Sequence, residues 1–129
     1  MSKAVLDASA LLALFNSESG SSIVLELLPM SLMSTVNVAE VIAELDKKFD
    51  VGSRQSSEMI AAAIAQIIPL DFDFAVKVGE LKKLTQVKGL SLGDRACIAL
   101  GMKMNCPIYT ADKAWSGLNI EGINIIQIR

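Results

Sequence analysis

The sequence predicts a single α/β domain over residues 1–129, with helices on both faces of a central parallel sheet to give three α/β/α layers. Three observations lead there. Ala4-Val5-Leu6 is an unbroken apolar run that ends abruptly in Asp7, the pattern of a strand buried on both faces. Helical and strand signals then alternate along the chain with no long linker, repeat or low-complexity segment. Hydrophobic residues make up 52% of the chain and aromatics 5%, so a single aliphatic core can form without disulfides or a structural metal.

Taken in order, Ala4 to Leu6 is the first strand, and Asp7 or Ser9 can cap a helix over Ala10 to Phe15. Glu18-Ser19-Gly20 is a turn, Ser22 to Leu28 a helix stopped by Pro29, and Ser31 to Ser34 a strand. Ser34 or Thr35 caps the next helix. Val38, Val41, Ile42, Leu45 and Phe49 share one face of it, while Asn37, Glu40 and Glu44 share the other. Asp50-Val51-Gly52 ends that helix, Ser53 opens another to about Ile67, and Ile68 to Leu70 is a strand. Asp71 caps an amphipathic helix from Phe72 to about Gln86, with Lys77, Glu80, Lys82 and Lys83 facing water. Ser91 opens a helix to about Asn105, followed by strands at Ile108 to Thr110 and Ile123 to Ile128.

Composition removes several functional classes. The longest charge-free apolar run, Met59 to Leu70, is shorter than the ~20 residues of a membrane span. Lys3 and the apolar run after it imitate a signal peptide, but Asp7 would fall inside its hydrophobic segment, so a cytoplasmic protein is expected. Cys97 and Cys106 match no metal or redox spacing and read as inert thiols. With no histidine, the commonest general base and the usual zinc ligand are missing, so any chemistry runs on carboxylates. A net charge of −2 neither attracts nor excludes nucleic acid.

Four acids stand out, each with a plain alternative. Asp7 and Asp112 both follow strands, Asp112 two residues after Thr110, and parallel strands bring their carboxyl ends to one edge where ligands bind. Each can equally be a helix cap. Glu40 reads alone as a solvated glutamate, beside a routine Glu44–Lys48 pair. Ser91-Leu92-Gly93-Asp94 reads as a capping box. Against that, Ala96 to Met104 is apolar nearly all round, and a carboxylate on a buried helix is retained only if paired, capping or bound to metal.

The segments Val5-Leu6-Asp7-Ala8-Ser9-Ala10-Leu11-Leu12, Val38-Ala39-Glu40-Val41, Leu90-Ser91-Leu92-Gly93-Asp94-Arg95-Ala96 and Tyr109-Thr110-Ala111-Asp112 resemble the four motif blocks of the PIN domain. Their order and spacing are similar to those of VapC-type toxins, and the resemblance runs end to end. It implies that Asp7, Glu40, Asp94 and Asp112 converge at the carboxyl edge of a parallel sheet and hold Mg²⁺ or Mn²⁺, with Ser9 and Thr110 as supporting hydroxyls. It further implies an endoribonuclease acting on structured RNA such as tRNA or rRNA, leaving 5′-phosphate and 3′-hydroxyl ends. The implied partners are a small cognate VapB-type antitoxin and a second copy in a homodimer.

Residue chemistry agrees with that reading. Carboxylate oxygens without His or Cys suit Mg²⁺ or Mn²⁺, which take a few carboxylates together with phosphate oxygens. In this scheme Asp7, Asp94 and Asp112 position one or two ions, while Glu40 is a further ligand or orients the attacking water. Arg95 and Lys113, next to two of the acids, are the expected RNA phosphate contacts. An antitoxin helix is expected to cover apolar residues of two helices, Ile23, Leu27, Leu28, Met59, Ile60 and Ile64. Two other classes compete. A phosphohydrolase of the phosphoaspartyl kind wants a second Asp two residues after the first, where this chain has Ser9, and a binding-only module would reduce the acids to caps or a structural metal.

Overall fold

The computed structural model describes residues 2–85 and 89–129. Five parallel strands, β1 (Ala4–Leu6), β2 (Ser31–Ser34), β3 (Gln66–Ile68), β4 (Ile108–Thr110) and β5 (Ile125–Gln127), lie in the order β3-β2-β1-β4-β5. The first apolar run in the chain, β1, is therefore central: Val5 sits opposite both Leu32 and Ile108. Burial on both faces explains why β1 shows no polar alternation.

Successive strand residues supply opposite layers, as the period of two requires. Leu6 and Met33 pack with Leu11, Val24, Val41, Leu45 and Ile60 from α1 (Ala8–Phe15), α2 (Ser21–Leu27), α3 (Thr35–Phe49) and α4 (Ser53–Ala63). Val5, Leu32 and Ile108 pack with Phe74, Val78, Leu81 and Leu100, which bring α5 (Phe72–Glu80), the Leu81 link to α6 (Lys82–Thr85), and α7 (Leu92–Met104) onto the other face. The architecture is thus the expected three-layer α/β/α domain. Cys97 is wholly buried in the second layer, where burial pushes its thiol well above the ordinary range, and Cys106 is half-buried. Among the described residues no helix is long and apolar enough to cross a membrane.

The departures from expectation lie at element ends. The helix expected through Ile67 stops at Ala63, and β3 begins at Gln66, two residues before the expected strand. Ile64 turns to extended backbone (φ −87, ψ 129), and the Ala65 amide donates to the buried Ser31 hydroxyl at 3.0 Å. That bond to a distant strand redirects the chain before its helical periodicity runs out. The single helix expected from Phe72 breaks at Leu81, whose side chain is buried and whose amide bonds the carbonyls of both Lys77 and Gly79; Gln86, its expected end, lies outside the described residues. Phe49 is 56% exposed, because the last turn of α3 runs past the core. The final strand covers Ile125–Gln127 rather than Ile123 to Ile128.

Candidate active site

From β1 the chain steps outward to β2 and then β3, whereas β4 is followed on the other side by β5, so the strand order reverses between β1 and β4. Connections leaving neighbouring strands in opposite directions open a crevice at their carboxyl ends. Asp7 and Asp112 follow these two strands.

Asp7 is buried, at 4% exposure, and heavily hydrogen-bonded. Its Oδ1 accepts from the Ser9 hydroxyl (2.7 Å) and the Ala10 amide (2.8 Å), and its Oδ2 accepts from the Thr110 hydroxyl (2.5 Å). The two hydroxyls are themselves fixed by backbone donors, Ala111 to Ser9 Oγ at 2.9 Å and Asp112 to Thr110 Oγ1 at 3.0 Å. Since each hydroxyl carries one proton and gives it to Asp7, β1, α1 and β4 are tied together around this one carboxyl. Burial raises its pKa from 3.8 to about 6; the bonds from Thr110, Ser9 and Ala10 act against that rise, and the nearby Asp94 charge adds to it.

The other three acids arrive on helix beginnings. Ser34 caps α3, which places Glu40 in its second turn, where its Oε1 accepts from Asn37 Nδ2 at 2.7 Å. Burial raises the Glu40 carboxyl, the Asn37 bond opposes that, and Asp94 adds to it. At the start of α7 the Ser91 hydroxyl accepts the Asp94 amide (3.2 Å) and Asp94 Oδ2 accepts the Ser91 amide (2.9 Å), a complete capping box. Asp112 Oδ1 caps the 3₁₀ turn Lys113–Trp115 through the Ala114 amide at 2.9 Å. Capping and convergence are thus compatible. Asp7, Asp94 and Asp112 are caps whose helices all begin at the same sheet edge, and the positive ends of those helices moderate the repulsion among the acids. Glu40, Asp94 and Asp112 each commit one oxygen and have a second without a hydrogen bond among the described residues.

Asp7, Glu40, Asp94 and Asp112 line a single cleft of about 400 Å³ together with Ser9, Leu12, Asn37 and Glu44. Arg95 and Lys113 are not brought into it. Arg95 donates to the Val78 carbonyl of α5 at 3.2 Å, and Lys113 donates to the Arg129 carbonyl.

A family model described as the PIN domain matches residues 4–120, a span that holds all four acids. The chain belongs to the PIN-domain family. Solved structures of the same fold include a toxin–antitoxin complex from Klebsiella pneumoniae, with 24% identity, 94% of this chain and 95% of the other covered, and a TM-score of 0.71. A DNA-bound VapBC from Salmonella typhimurium aligns over 100% of both chains at 16% identity and a TM-score of 0.72. A Mycobacterium tuberculosis VapC toxin described as cleaving the sarcin-ricin loop aligns over 95% of this chain and 99% of its own at 14% identity and a TM-score of 0.77. At such identities the likeness is one of fold. A search among curated proteins returned no significant match.

Three residues in or beside this PIN domain's cleft escape a reading of the sequence as isolated acids. Glu44 lines the cleft as a fifth carboxylate, one turn beyond Glu40, and no Glu44–Lys48 ion pair forms among the described residues. The spacing of four was the available signal. Asn37 bridges Glu40 and the Gly93 carbonyl (3.0 Å). A Cβ at Gly93 would lie 2.2 Å from Glu40 Oε2, so any side chain there would push the Glu40 carboxylate aside. No local pattern announces either role, because each is defined by the approach of α3 to α7.

Proposed function

We propose that this PIN domain is a VapC-type toxin: an endoribonuclease that hydrolyses phosphodiester bonds in structured RNA, tRNA or rRNA, with Mg²⁺ or Mn²⁺. The observation that carries the reading is that Asp7, Glu40, Asp94 and Asp112, from separate segments of a PIN domain, line one cleft at the switch point of the sheet. The description of the Mycobacterium tuberculosis toxin as cleaving the sarcin-ricin loop favours RNA as the substrate.

The donor set fits a hard divalent cation, since the cleft offers carboxylates and a hydroxyl, lacks thiols, and belongs to a chain without histidine. Among the described residues no three such side chains already form an ion cage. An ion held here would complete its shell with waters and oxygens from substrate phosphate, as Mg²⁺ commonly does. Asp7, Asp94 and Asp112 would hold the ion, which when bound lowers the pKa of water and offsets charge on the scissile phosphate. Glu40 either joins the ligands or orients the attacking water through its uncommitted Oε2, and its raised carboxyl affinity for protons helps it accept one. Ser9 and Thr110 hold Asp7 in one rotamer throughout. Product ends are 5′-phosphate and 3′-hydroxyl. Lys113, exposed beside Asp112, would meet an RNA phosphate after releasing the Arg129 carbonyl, and Arg95 after releasing the Val78 carbonyl.

Incubating the purified protein with bulk RNA tests this. Cleavage in Mg²⁺ or Mn²⁺ that stops in chelator supports it; no cleavage in either cation, or equal cleavage in chelator, overturns it.

The protein would act in the cytoplasm as a homodimer restrained by a VapB-type antitoxin. Ile23 and Leu25 on α2 are 42% and 58% exposed and offer an apolar seat for an antitoxin helix, whereas Ile60 and Ile64, expected in that seat from the sequence, are buried in the core. From that seat an Arg or Lys of the antitoxin tail would enter the anionic cleft, so inhibition should weaken as salt rises. An antitoxin truncated before its basic tail should inhibit less than the intact one; equal inhibition would remove the tail from the cleft.

A further inference from the structure

We infer that Asn37 is a positioning residue: it clamps Glu40 between α3 and α7 and thereby sets the affinity of the cleft for a divalent cation. The inference rests on the metal-nuclease reading above and deepens it. Asn37 is 1% exposed and lines the cleft. Its Nδ2 donates to Glu40 Oε1 at 2.7 Å and to the Gly93 carbonyl at 3.0 Å. Both partners are acceptors, so the amide has only one sensible orientation.

That orientation leaves Asn37 Oδ1 buried with no partner among the described residues. A buried amide oxygen without a donor is unfavourable, so the side chain is not arranged for its own satisfaction. Both amide hydrogens instead serve to hold one oxygen of Glu40 and the first turn of α7, the turn that carries Asp94. From the other side Gly93 leaves room that any Cβ would take from the Glu40 carboxylate. Glu40 is therefore held at one oxygen by Asn37 and has room for its carboxylate only because residue 93 is glycine, with Asp94 one residue away on the same turn. Partners that orient a ligand in this way commonly alter metal affinity by roughly ten- to a hundredfold.

Mn²⁺ affinity of the full chain, measured by isothermal titration for wild type, N37A, E40Q and the double variant, tests it. N37A should bind Mn²⁺ at least about tenfold more weakly, and in the E40Q background the same change should have less than about a twofold further effect, because its route through Glu40 is gone. If N37A shows no cooperative melt, N37S, which keeps one donor beside the same backbone, takes its place with the same expected dependence on Glu40. Wild-type affinity in the folded variant, or an equal loss with and without Glu40, overturns the positioning role and leaves the four-carboxylate reading standing. Absence of Mn²⁺ binding by the wild-type protein overturns both.

Discussion

Asp7→Asn is expected to reduce RNA cleavage by at least about a hundredfold, in line with the loss of one essential electrostatic group from an active site, and to yield a metal-free protein more stable than wild type at neutral pH. The shape survives: the introduced amide can still accept from Ser9 and Ala10 at its oxygen, and the Thr110 hydroxyl can turn to accept from its nitrogen. What changes is the charge. The Asp7 carboxyl titrates at about 6 in the folded chain against 3.8 ordinarily, chiefly because it is buried. A raised carboxyl favours the folded state below 3.8 and loses that contribution as pH rises through about 6, to a total of about 3 kcal/mol. The amide of the variant does not titrate. Denaturant melts in chelator at pH 4 and pH 7 should therefore show wild type losing stability relative to the variant as pH rises. A constant difference between the two proteins would refute the burial of charge at Asp7, and retained cleavage would refute its role in the reaction.

Asp94→Asn separates the two jobs this residue holds. Asn can accept the Ser91 amide as Asp94 Oδ2 does, so the capping box persists in weakened form. Losing the N-terminal charge costs about 0.3–1 kcal/mol, while removing a charge that raises both Asp7 and Glu40 works in the opposite direction. In chelator the two proteins should consequently melt within a few degrees of each other. Mn²⁺ at ~100 times its dissociation constant should then stabilise wild type by about 2.7 kcal/mol, roughly 10 °C for a domain of this size, and the variant hardly at all. RNA cleavage should fall to background in the same variant. If Asp94 were a cap alone, Mn²⁺ would shift both melts equally and cleavage would persist.

Much of this was legible one segment at a time. The bounds of β1, β2 and β4 follow from short runs with an apolar centre between turn or capping residues, and the starts of α3, α5 and α7 from Ser34, Asp71 and Ser91, whose side chains accept amides two or three residues on. These signals span a few residues and need no partner from elsewhere. Where the chain's course depends on a distant group, local pattern fails: α4 stops early because Ala65 finds the Ser31 hydroxyl, and the Phe72 helix breaks where Leu81 enters the core.

The candidate site divides in the same way. The sequence by itself determined which acids are available, that no histidine competes with them, and that Asp7, Asp94 and Asp112 each sit where a helix or turn begins. Tertiary structure decided that capping and convergence occur in the same side chains, because a parallel sheet starts its helices at one edge and the order β3-β2-β1-β4-β5 sets Asp7 beside Thr110. It also decided that Arg95 is engaged by α5, that Glu44 joins the cleft, and that Asn37 reaches Gly93 across 56 residues of chain. Periodicity and capping report the energetics of one helix or strand, and the packing of α3 on α7 exists only once both are laid on the same sheet.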